Sequence, residues 1–154
     1  YLTPVLKLEE EIQQKKFRSQ KQKAIVNIYY TNCFISSKFE SLLKKFGLTL
    51  QQYNILRILR GQNGKAIAMG DIKNRMLDKN SDVSRIVERL KIKKLIERKI
   101  CRSDHRQMDV KITQRGLDLL SKIDGIEQRS DKILSKLSTK EVKQLNDLLD
   151  KIRD

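Results

Sequence analysis

Apolar residues recur at intervals of three and four along most of this chain, and very little interrupts them. From Ala24 the series Ile25, Ile28/Tyr29, Cys33, Ile35, Phe39, Leu42/Leu43 and Phe46 runs unbroken to Gly47. That spacing follows the 3.6-residue turn and predicts an amphipathic helix with Gly47 as its C-cap. The 154 residues include one Pro and six Gly, too few turn formers for an all-β sandwich, so the expected class is mainly α. With 38% apolar residues the chain can bury a core.

The stretch 5–23 is polar, its Leu6, Leu8, Ile12 and Phe17 thinly spaced, and it reads as a helix with little to bury. Thr49 predicts an N-cap with Gln52 at the capping-box position, and Tyr53, Leu56 and Leu59 form one face up to Gly61. GQNGKAI is a turn. Ala68, Ile72 and Met76 mark a short helix ended by Asp78-Lys79-Asn80, and Ser81 is read as the cap of a third helix striped by Val83, Ile86/Val87 and Leu90. A short helix, a turn and a second helix form a helix-turn-helix pattern. Residues 95–101 and 107–113 then alternate around the polar tip Arg102-Ser103-Asp104-His105-Arg106, which predicts a β-hairpin. Together these elements describe a winged helix. Thr113 caps a further helix with Leu117, Leu119/Leu120, Ile123 and Ile126, whose stripe is carried on through Ile133, Leu134 and Leu137. Ser138 or Thr139 opens the last helix, with Val142, Leu145, Leu148/Leu149 and Ile152.

Charge separates these regions. Lys and Arg number 34 against 19 Asp and Glu, a net +15. Residues 1–64 hold 11 cations and 4 anions, residues 65–115 hold 15 and 7, and residues 116–154 hold 8 and 8. A basic centre beside a neutral tail implies one surface for a polyanion and another for protein. The expected organisation is one chain, 1–154, with a winged-helix DNA-binding module at 48–115 flanked by N- and C-terminal dimerisation helices at 5–46 and 116–153.

Two Cys and one His supply neither a disulfide framework nor a zinc site, so no metal or cofactor is expected. The apolar runs are too short for a spanning helix and no signal-peptide core appears, which implies no membrane partner and a cytoplasmic setting. An enzyme is not expected: there is no Gly-rich phosphate loop, nucleophile elbow or H-E-x-x-H, and Glu9-Glu10-Glu11 has no partner residues.

From about Ala24 to Ile152 the order of elements resembles the MarR family of bacterial transcriptional regulators. The most specific match is Asp104, Arg106, Val110, Ile112-Thr113 and Gly116, similar to the family's D-x-R, strand and T-x-x-G pattern. Leu48-Thr49-Gln52-Tyr53, Ser84-Arg85, Leu90, Leu95-Ile96 and Arg98 add to it. The resemblance implies an obligate homodimer on a pseudopalindromic operator in double-stranded DNA. It also implies a repressor released by a small aromatic or phenolic effector or by an oxidant. Two departures stand out. Lys94 occupies a position where the family often has Gly, and the loop Leu77–Asn80 is longer and more charged than the usual apolar turn.

Base edges need short polar and Arg side chains at the front of a helix in the major groove. Ser81, Asp82, Ser84 and Arg85 occupy that front, with Arg85 the first choice for a guanine, Asp82 either accepting from a cytosine amino group or positioning Arg85, and Ser81 also the expected cap. Arg89, Lys93 and Lys94, with Lys91 and the earlier Lys73, Arg75 and Lys79, are expected on phosphates. Arg106 suits a narrow minor groove. Asp104 braces it in the resemblance, and His105 is placed at the tip to meet phosphate. Tyr29, Tyr30, Phe34, Tyr53 and Arg57 are the candidate effector residues. Cys33 reads as a buried core thiol, and Cys101 stands between the cations Lys99 and Arg102. The alternative function is a winged-helix protein-interaction adaptor with weak or vestigial DNA binding, which would not need Ser84, Arg85 and Arg106 to project together.

Overall fold

The computed structural model describes residues 6–100 and 108–153, with backbone alone for 126–130. The helices are α1 (Leu8–Glu11), α2 (Gln20–Lys44), α3 (Leu50–Arg60), α4 (Met69–Arg75), α5 (Val83–Ile92), α6 (Gln114–Ser130) and α7 (Thr139–Ile152). The strands are β1 (Ile67–Ala68), β2 (Ile96–Ile100) and β3 (Met108–Ile112), and a 3-10 turn covers Asp131–Leu134. Two compact units divide the chain, Tyr1–Lys38 and Phe39–Asp154.

In the first unit the expected helix over 5–23 is reduced to the four residues of α1. Gln13 follows in the left-handed region at φ 53°, so the helix cannot continue, and α2 starts afresh at Gln20. Thin apolar spacing explains the break, since little burial would reward a longer helix. Polar ties hold the segment instead: Lys23 pairs with Glu9, and the Tyr30 hydroxyl donates to Glu11 Oε2 at 2.8 Å. That bond to a carboxylate also raises the Tyr30 pKa above the ordinary phenol value. The apolar face of α2 is exposed over its first part, at Ile25, Tyr29 and Phe34. Cys33 is exposed as well, which corrects its reading as a core thiol: the stripe that carries it is buried only toward its end, at Leu43.

The second unit holds the core. At the end of α2 the Leu48 N–H donates to the Leu43 carbonyl and the Gly47 N–H to that of Lys44, with Gly47 at φ 67°. This pairing is a Schellman cap, and it needs a residue comfortable at positive φ. Thr49 then opens α3 by the expected reciprocal box: its hydroxyl accepts from the Gln52 N–H and Gln52 Oε1 accepts from the Thr49 N–H, each at 3.2 Å. Ile55 and Leu56 of α3, Ile72 of α4, Val87 and Leu90 of α5, Val110 of β3 and Leu120 of α6 are all fully buried in one cluster. Burying a side chain of this size is worth about 1.5–3 kcal/mol, so this cluster dominates the stability of the unit.

The wing strands pair antiparallel, Ile96 opposite Ile112 and Arg98 opposite Val110. A third strand, β1, lies on the other side of β3 with Ile67 opposite Val110. Two residues are too short to show alternation, and Ala68, expected on the face of the short helix, is instead its N-cap. The stripe expected to run on from α6 through Leu137 is interrupted by the 3-10 turn at Asp131. Ser138 is the cap of α7, where its hydroxyl accepts from the Glu141 N–H. No helix among the described residues is long and apolar enough to cross a membrane.

Candidate nucleic-acid interface

The amphipathic pattern of α5 sorts its residues as the spacing requires. Val83, Val87 and Leu90 are buried, while Ser84, Arg85, Glu88 and Arg89 are exposed on the outer face. The helix begins one residue later than expected. Asp78 gathers the preceding loop, accepting from the Asn80 N–H at 3.0 Å and the Ser81 hydroxyl at 3.1 Å. Ser81 is therefore not the cap. Asp82 is: its carboxylate accepts from the Arg85 N–H at 3.1 Å. A carboxylate at a helix N-terminus satisfies an orphan donor and complements the helix dipole.

Neither nearby acid holds the guanidinium of Arg85. Asp82 is occupied with the backbone cap, and Glu88 pairs with Arg98 of β2 at 2.5 Å and lies 3.9 Å from Lys91. Among the described residues Arg85 makes no side-chain ion pair. Arg89 is likewise exposed.

The far end of α5 closes with a second Schellman cap. The Leu95 N–H donates to the Leu90 carbonyl and the Lys94 N–H to that of Lys91, with Lys94 at φ 58°. The departure from Gly is thus accommodated by a lysine held in the left-handed region, at a cost of roughly 1–2 kcal/mol. Thr113 knots this turn to the start of α6. Its hydroxyl donates to the Lys94 carbonyl at 2.9 Å and accepts from the Gly116 N–H at 3.1 Å, while its own N–H donates to the Leu95 carbonyl. A Cβ on Gly116 would lie 2.4 Å from the Leu95 oxygen and 2.7 Å from Ile112 Cγ1. The T-x-x-G spacing is therefore a structural joint behind the outward-facing helix.

Lys93 behaves differently from its neighbour. Its ammonium donates to the Gly47 carbonyl and lies 3.4 Å from Gln52 Oε1. Sequence reasoning missed this contact, which joins positions 46 residues apart. Lys93 also lines an open groove of about 630 Å³ with Lys44, Leu48, Leu50, Arg89 and Ile92. Asp104, His105, Arg106 and Cys101 lie outside the described residues.

The candidate effector residues fall in both units: Tyr29, Tyr30 and Phe34 are exposed in the first, and Tyr53 and Arg57 belong to the second. Arg57 donates to the Tyr53 hydroxyl at 3.0 Å. Burial pushes the Tyr53 phenol pKa up, against the opposing pull of Arg57 and Arg60. Among the described residues no group of His, Cys, Asp and Glu could hold a metal ion.

Residues 46–107 match the model of the MarR family. Similar solved structures cover nearly the whole chain. AbsC, a MarR family transcriptional regulator from Streptomyces coelicolor, is 22% identical with a TM-score of 0.78, covering 90% of this chain and 96% of its own. A MarR transcription factor from Planctomyces limnophilus is 27% identical with a TM-score of 0.68, covering 88% and 98%. BpsR from Bordetella bronchiseptica, whose DNA binding is regulated by 6-hydroxynicotinic acid, is 22% identical with a TM-score of 0.73, covering 88% and 100%. No curated protein sequence matches the chain. The family match spans the helix-turn-helix and the first wing strand, and along almost its full length the chain shares the fold of MarR family winged-helix transcriptional regulators.

Proposed function

We propose that the protein is a sequence-specific regulator that binds a pseudopalindromic operator in double-stranded DNA as a homodimer, and that it represses transcription until a small aromatic effector or an oxidant releases it. The observation that carries the DNA reading is the exposed guanidinium of Arg85 at the front of α5, beside Ser84 and without an ion pair among the described residues, with Asp82 turned to capping. An Arg in that position can donate two bonds to guanine in the major groove. Arg89 and Lys94 are assigned to phosphates. In the wing tip, Arg106 is assigned to the minor groove with Asp104 as its brace and His105 to phosphate.

The dimer reading assigns association to residues 5–46 and 116–153 around the module at 48–115. Its support is the exposure of Ile25, Tyr29 and Phe34 on α2 and of Leu145, Leu148 and Ile152 on α7. The effector reading draws on BpsR, where a small aromatic acid regulates DNA binding.

Selection of bound sequences from random duplexes, followed by competition with nonspecific DNA at about 0.15 M salt, tests the proposal. The expected outcome is an enriched two-fold symmetric site. Arg85→Ala should then lose on the order of 1–3 kcal/mol of discrimination between that site and a one-pair mismatch. No enriched sequence would refute specific binding, and a ratio unchanged in Arg85→Ala would remove Arg85 as the base reader.

A further inference from the structure

The two lysines that end α5 are adjacent, equally charged and both exposed, and they were both expected on phosphates. Their surroundings separate them. Lys94 takes the left-handed turn, and its side chain makes no hydrogen bond or ion pair among the described residues. Lys93, the C-cap residue of α5, sends its ammonium back across the second unit to the Gly47 carbonyl. No backbone N–H among the described residues donates to that carbonyl. Beside it is Gln52, 4% exposed, whose Oε1 accepts from the Thr49 N–H and lies 3.4 Å from the same ammonium. One cation thus touches the corner between α2 and α3 at two acceptors, one belonging to the cap that ends α2 and the other to the box that starts α3.

Following the DNA reading proposed above, on which this inference rests, we infer that Lys93 is a positioning residue: its ammonium pins the end of the recognition helix to the α2–α3 corner and thereby sets the angle at which Ser84 and Arg85 meet the bases, instead of neutralising a phosphate. A bond from an ammonium to a carbonyl is charge-assisted and stronger than a neutral one. It acts where leverage is greatest. Nine residues separate Lys93 from Ser84, and at 1.5 Å per residue the pinned end lies roughly 13 Å from the front of the helix. A small rotation at that end displaces the reading residues by a distance that matters to hydrogen bonds, which weaken steeply away from about 2.9 Å and a straight N–H direction.

The two roles make opposite statements about salt. A phosphate contact releases counterions on any duplex, so its loss weakens all sequences together and lowers the salt slope by roughly 0.9. A positioning contact leaves the number of neutralised phosphates alone and changes only the contacts to bases. The test compares the full chain with its Lys93→Met, Lys93→Arg and Lys94→Met variants. Each is titrated with the duplex selected by the unmodified protein and with a scrambled duplex of the same composition, over a range of salt concentrations, and each is melted to check folding. Lys93→Met should stay cooperatively folded with a somewhat lower melting temperature, keep the salt slope of the unmodified chain and lose discrimination by on the order of tenfold, the scale of one impaired base contact. Lys93→Arg, which keeps a cationic donor, should recover most of that loss, and Lys94→Met should weaken both duplexes alike. In the free protein, the Gly47 carbonyl carbon resonance should shift in Lys93→Met and hold still in Lys94→Met.

Equal weakening of both duplexes by Lys93→Met with a reduced salt slope would return Lys93 to the phosphates, and an unmoved Gly47 resonance would show that the anchor does not form. Either result overturns the inference while leaving the DNA reading intact. A wild-type chain that does not distinguish the selected duplex from the scrambled one refutes the DNA reading itself, and the inference falls with it.

Discussion

Helices α3 and α7 begin in the same way and end in opposite surroundings. Each opens with a reciprocal capping box, Thr49 with Gln52 and Ser138 with Glu141. Each carries leucines and isoleucines at helical spacing. Yet α3 buries five of its eleven residues, and α7 buries none of its fourteen. A capping box is satisfied within one turn of chain, whatever lies beyond it. An apolar stripe is a demand for cover, and only the rest of the assembly can meet it. For α3 the cover comes from α5, β3 and α6 of the same chain, whereas α7 leaves Leu148 at 53% and Ile152 at 66% exposure.

The contrast is broken most directly by cutting one leucine on each helix. Leu56→Ala, at a site with no exposure, should cost about 2–5 kcal/mol in denaturant unfolding. Leu148→Lys should leave amide hydrogen exchange in α3 protected as before and, on the dimer reading proposed above, shift sedimentation from twice the chain mass toward the single chain. Loss of α3 protection in Leu148→Lys would mean that α7 belongs to the same cooperative unit as α3, and the contrast would fail.

Two glycines on α6 sharpen it. Gly116 sits where the module is tight, with no room for a Cβ, and Gly125 meets nothing within 4 Å. Gly116→Ala should cost about 1–3 kcal/mol or more by overpacking, while Gly125→Ala should raise stability by roughly 0.5–1 kcal/mol through helix propensity. Thermal unfolding of the two variants checks both signs.

The smallest effects come from the caps themselves. Thr49→Ala and Ser138→Ala each remove one hydroxyl acceptor, worth about 1 kcal/mol. The loss at Thr49 should appear in global unfolding. The loss at Ser138 should appear as faster exchange of the first α7 amides alone, and an equal shift of global stability by both would show that the two helices are equally integrated.

These differences also mark where reading the sequence succeeds. The box at Thr49, the Gly47 cap and the stripe of α5 are local patterns, decided by neighbours within a turn or two, and the structure has them where the spacing predicts. The later start of α5 was hidden because Ser81 and Asp82 are both good caps. The choice between them is made by Asp78, which occupies Ser81. β1 was missed because two residues have no period. The bond from Lys93 to Gly47 leaves no local trace, since it requires knowing that the end of α5 lies against the end of α2. The stripe that carries Cys33 looks like a core face, but periodicity identifies the face and not its cover, and the thiol is exposed.

If the apolar residues that α2 and α7 leave exposed pair two chains, as proposed above, they have a consequence for dose. A regulator that must pair before it reads two half-sites responds to its own concentration twice, once in forming the pair and once in occupying the operator. Well below the dissociation constant of the pair, the amount of dimer grows as the square of the chain concentration. A twofold fall in synthesis would then lower the dimer about fourfold by mass action. The same apolar side chains that stay exposed among the described residues would make the operator's response steeper than a single binding step.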